Sequence, residues 1–111
     1  MRVYVPATLA LLGEWAGVGV PASAERFVAP GEDEDSEYAA LMSAADASAQ
    51  MLEGPGRRVV VVGEVGDPDA DIAWSRIASV HADVADRPVD ADPDEDLGWW
   101  ATQEVADLLR D

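Results

Sequence analysis

Apolar residues along this chain recur with two alternating periods, one of two residues and one of three to four. Arg2–Val5 alternates polar with β-prone residues and meets Pro6, which predicts an opening strand. Ala7–Trp15 spaces Leu9, Leu12 and Trp15 three apart, the stripe of a short amphipathic helix. Gly17, Gly19 and Pro21 break it. Arg26–Ala29 reads as a second strand, closed by Pro30 and Gly31. The clearest helix covers Asp35–Glu53, with Tyr38, Leu41, Met42, Ala45, Ala49 and Leu52 on one face. The acids of Glu32–Glu37 complement its dipole, and Asp33 or Asp35 caps it. Its alanines permit close approach to a sheet, and Gly54-Pro55-Gly56 ends it.

Arg57–Val65 contains Val59-Val60-Val61-Val62, an unbroken β-branched run typical of a central strand buried on both faces. Arg57 and Arg58 stand at its start as charged guards against edge pairing. Gly66–Ala70 is a loop built on Asp67-Pro68-Asp69. Ile77–Asp83 alternates again, with Ile77, Ser79, His81 and Asp83 on one side. Val84–Asp96 is rich in Asp and Pro and reads as a mobile loop. Leu97–Ala101 is read as a strand, after which Thr102 caps a helix over Gln103–Arg110; one continuous helix from Leu97 is the alternative.

This order predicts one domain, residues 1–111, of the α/β (α+β) class. The expected architecture is a single mixed sheet of four to five strands, with two or three helices chiefly on one face. A split ferredoxin-like arrangement is the nearest named alternative.

Charge narrows the function. Twenty-three Asp and Glu face seven basic residues, all Arg, for a net charge of −16. Nucleic-acid binding depends on cations that neutralise phosphates, and an anionic membrane leaflet repels such a chain. A basic protein partner, a cation or a well-solvated surface stay open. A hydrophobic content of 49% is that of a globular protein. The absence of cysteine rules out disulfides and thiol chemistry. Met1–Pro6 lacks the basic and apolar regions of a signal peptide, and the apolar Ala7–Leu12 is too short to span a bilayer. A cytoplasmic protein is expected.

Candidate chemistry is sparse. His81 is the only histidine; Asp83, two residues on, would orient it as a general base, with Glu104 as a third member. The competing reading is an ordinary half-buried strand histidine. The acids at Asp67-Pro68-Asp69-Ala70-Asp71 and Asp90-Ala91-Asp92-Pro93-Asp94 alternate like calcium ligands. A calcium loop needs Gly at position six and Glu at twelve; these chain positions hold Ile72 and Ala78, or Glu95 and Ala101. No metal site and no cofactor is assigned. Gly63-Glu64-Val65-Gly66 lacks the pattern of a phosphate loop. The runs Glu32–Glu37 and Asp83–Asp96 would mimic nucleic acid if held in ordered rows, and are otherwise a solvated surface. Trp99 and Trp100 point to opposite faces if they lie on a strand. One enters the core; the other is either covered by the terminal helix or exposed as a binding anchor.

Four segments are familiar together: Arg2-Val3-Tyr4-Val5-Pro6, Glu37-Tyr38-Ala39-Ala40-Leu41, Ser79-Val80-His81 and Trp99-Trp100-Ala101-Thr102-Gln103-Glu104. Over nearly the whole chain they resemble a family of small acidic actinobacterial proteins of unknown function. The chain departs from that family in being short between Gly66 and Trp74, where a longer insertion is expected. The resemblance implies an actinobacterial, cytoplasmic origin and brings no catalytic residue with it.

The leading expectation is therefore a small acidic, non-enzymatic protein acting through protein contacts. Its contact surface would be Trp99 or Trp100 beside Asp92, Asp94 and Asp96, and its partner basic. A small enzyme using His81 and an acidic nucleic-acid mimic are the alternatives.

Overall fold

The valine run lies at the centre of the fold. In the computed structural model, which describes residues 1–110, it forms β4 (Val59–Glu64) between β1 (Arg2–Ala7) and β6 (Ile77–Ala82). β3 (Phe27–Val28) and β7 (Gly98–Ala101) are the edges of this five-stranded sheet, in the order β3-β1-β4-β6-β7. A separate two-stranded sheet pairs β2 (Gly19–Val20) with β5 (Ile72–Ala73). The helices are α1 (Leu9–Trp15), α2 (Glu34–Met51) and α3 (Val105–Arg110). The α+β class and the five strands agree with the sequence, as does a strand followed by a helix at the end of the chain.

Where a mixed sheet was expected, every pairing is antiparallel. The reason lies in α2. It is a crossover from β3 to β4, and those strands do run parallel to each other. Both pair with β1, which lies between them, so no parallel neighbours arise.

Two layers of side chains follow from the alternation of β1 and β4. Val3, Val5, Ala7, Val59 and Val61 face Leu12 and Trp15 of α1, Val105 and Leu108 of α3, and Val20 and Ile72 of the small sheet. Tyr4, Val60 and Val62 face Ala40, Ala44 and Ala45 of α2. The long helix thus covers one face alone, and the two short helices with the small sheet close the other.

Asp33 caps α2, its carboxylate accepting the Ser36 N–H at 3.0 Å. The buried stripe of α2 runs Ala40, Ala44, Ser48 with Ala45 beside it, rotated from the expected face. Ala residues win because they admit the sheet closely, while Tyr38 points outward at 49% exposure. Ser48 bridges the end of the β1–β4 ladder: its hydroxyl donates to Ala7 C=O at 2.6 Å and accepts the Val59 N–H at 2.8 Å.

Candidate functional site

The acidic loop between β6 and β7 is fixed by two arginines. Arg58 lies at the start of the valine run and is 2% exposed, so it is no surface guard. A buried guanidinium needs a counter-charge and partners for its donors. Asp83, at the end of the adjacent β6, supplies the charge through a bidentate pair, Nε to Oδ2 at 3.0 Å and Nη2 to Oδ1 at 2.8 Å. Asp83 also accepts the Arg58 backbone N–H at 2.8 Å. The remaining donors reach the loop, Nη1 to Pro93 C=O at 3.2 Å and Nη2 to Glu95 C=O at 2.9 Å. Arg87 adds a second tie, its Nη2 donating to Asp92 C=O and lying 3.3 Å from the Glu95 carboxylate. Both arginines thus tie residues 84–96 to the fold through backbone carbonyls, and they line a cleft of about 330 Å³ beneath that segment.

Because the arginines grip backbone carbonyls, the loop's carboxylates are turned outward. Asp92, Asp94 and Asp96 are all exposed. Asp92 Oδ1 accepts the Asp94 N–H at 2.9 Å, closing a tight turn. Asp96 Oδ1 accepts the Tyr38 hydroxyl at 2.8 Å, which holds the proton on that phenol and raises its pKa. This hydrogen bond ties the loop to α2 just before β7 begins.

The two tryptophans of β7 divide. Trp100 lies opposite Val80 and packs against the core layer beneath α1 and α3, its indole N–H buried without a partner. Trp99 is 62% exposed and stands opposite His81 on the face shared with α2. An exposed indole on a strand that follows an acidic loop offers a ring face on which a cation can stack.

The residues proposed for base catalysis are not brought together. Both oxygens of Asp83 are held by Arg58, so this carboxylate does not orient His81. Glu104 accepts the Ala101 N–H at 2.9 Å and serves its own helix start. His81 is half-buried, and burial, with the positive charge of Arg2 second, lowers its pKa from 6.5. It does not line the cleft beneath the acidic loop.

Among the described residues no group of three or more His, Asp or Glu is placed to hold a metal ion. The acids resembling calcium ligands bond within the fold instead: Asp67 to the Asp69 N–H at 2.9 Å and Asp71 to the Ala22 N–H at 2.7 Å. No described helix is long and apolar enough to cross a membrane.

The sequence left Trp99 and Trp100 as equal candidates and cast Arg58 as a surface guard, so the groups that hold the acidic loop, Arg58 and Arg87, were missed. The available signal was Arg58 directly before a fully buried run, where a cation with no nearby acid in sequence needs one from a neighbouring strand.

The chain belongs to a family of unknown function (DUF6912), whose model matches residues 1–109. No curated protein and no solved structure matches it.

Proposed function

We propose, starting from that membership, that the chain is a non-enzymatic protein that binds a basic protein partner at Trp99. The observation that carries this reading is the 62% exposure of Trp99 on an ordered strand. An indole is a costly residue to leave in water, and Trp is enriched among residues that dominate binding energy. Asp92, Asp94 and Asp96, which precede it in the chain and are exposed, would within a net charge of −16 speed encounter with a cationic surface. The actinobacterial, cytoplasmic setting implied by the resemblance belongs to the same reading, as does the expectation that nucleic acid and membranes are not its targets.

The test is capture from lysate of the native host with the folded protein and its Trp99→Ala variant, washed at about 0.05 M and about 0.5 M salt. One basic protein retained by the native chain should be lost from the variant, since an anchoring Trp contributes about 2 kcal/mol or more. Equal recovery on both would remove Trp99 from the reading.

A further inference from the structure

β7 closes one side of the sheet, and among the described residues no strand covers its outer edge. A single cap identifies the backbone groups that point outward. The Ala101 N–H donates to Glu104 Oε1 at 2.9 Å, so it is not spent on β6. Hydrogen-bonded and non-hydrogen-bonded pairs alternate along an antiparallel ladder. Ala101 opposite Ser79 is therefore a non-bonded pair, and so is Trp99 opposite His81, two residues away. Both backbone groups of Trp99 then face away from β6. Since Glu104 already holds the Ala101 amide, Trp99 is the residue of β7 that offers a free N–H and C=O together.

Acids predominate on either side. Asp94 and Asp96 precede β7, and Glu104 and Asp107 follow it, with Arg110 pairing Asp107 alone. A second copy of the chain would set these acids against their own kind. A cationic segment would be attracted at both ends. We propose that the outer edge of β7 receives an extended basic segment of another protein, which adds a sixth strand to the sheet. This rests on the partner reading above and specifies its form. The residue opposite Trp99 exchanges two backbone hydrogen bonds with it, the arrangement of a closely spaced antiparallel pair. The indole covers that residue's side chain, and flanking Arg or Lys side chains reach the acids. A strand of four residues spans about 13 Å, so the bound segment is short.

Two synthetic octapeptides of alternating Arg and Val test this against the full-length chain labelled with nitrogen-15 at low salt. One has ordinary amides, and the other is N-methylated throughout, keeping its charge but losing its backbone donors. Strand addition predicts that the ordinary peptide slows solvent exchange of the Trp99 amide by about tenfold or more, and that the methylated peptide does not. Four outcomes overturn the proposal. In the first the Trp99 amide stays unprotected by the ordinary peptide, and in the second both peptides bind equally. In the third neither binds, and in the fourth the amide is already protected in a free protein that sediments as a dimer, with a second copy on the edge. Equal binding weakened by Trp99→Ala would leave the partner reading standing while removing the added strand.

Discussion

A single buried ion pair organises the far end of this protein. Arg58 and Asp83 are 2% and 6% exposed, and each supplies the other's missing charge. Removing one member strands the other in the interior, which costs about 3–5 kcal/mol. Asp83→Ala should lower stability by that amount in urea denaturation, and proteolysis within 84–96 should accelerate because the loop's ties go with Arg58. His81 gives a second expectation. Its folded pKa is depressed by burial, so the unfolded chain binds the proton first as pH falls. The neutral form is favoured by folding, and nothing is lost above about pH 6.5. Stability falls as pH drops below that value, until the folded-state pKa is passed. An NMR titration of the imidazole should give a midpoint below 6.5, and His81→Gln should flatten the stability difference between about pH 7 and pH 5.5. A midpoint above 6.5 would contradict the burial. From sequence, His81 and Asp83 were seen as neighbours on one strand side. Which of several acids meets which arginine was not visible, because the two residues of that pair are 25 positions apart.

At the scale of elements, α2 was legible in extent but not in orientation. Its cap and its alanine content were readable, and the stripe Ala40, Ala44, Ser48, spaced four residues apart, was hidden beneath the larger Tyr38, Leu41 and Met42. Hydrophobic pattern favours the bulkiest residues as the buried ones. A helix that packs close to a sheet reverses that preference, because only small side chains fit between the two backbones. Ala44→Leu should therefore push α2 from Tyr4, Val60 and Val62 and cost about 1–3 kcal/mol, measurable as a lowered denaturation midpoint. The strands were legible where they are long. β2 lies in the stretch read as a break and β5 between the loop Gly66–Ala70 and the strand from Ile77, where no element was assigned; at two residues each they are too short for any period to show.

Across the whole molecule, three of the seven arginines, Arg26, Arg58 and Arg87, are spent on backbone carbonyls, while Arg2, Arg76 and Arg110 stay exposed. Arg26 donates to the carbonyls of Pro21, Ala24, Pro68 and Ala70, tying two loops without any carboxylate. Arg58 and Arg87 do similar work beneath the acidic loop. Arg suits these posts because its planar fork offers several fixed donors, which an ammonium does not. The absence of lysine thus has a structural counterpart, and the outer surface is left with little to offset its acids. Raising salt from about 0.05 M to about 0.5 M should raise the melting temperature by screening that repulsion. A lowered melting temperature would mean that the ion pairs outweigh it. The same salt should weaken a basic partner, so stability and binding are expected to move in opposite directions.

The place of β1 in the sheet has a consequence for how the chain reaches this state. Arg2 lies opposite Glu64, 62 residues away, whereas β4, β6 and β7 follow one another along the chain. Short closures precede long ones because the entropy of closing a loop rises with its length. The β4–β6–β7 meander can therefore assemble first, leaving one side of the valine run without a neighbour until β1 arrives. During that interval Val59–Val62 is an open, apolar edge able to pair with another chain. Refolding yield should accordingly be limited by protein concentration, with the opening strand acting last as the lid on its own aggregation site.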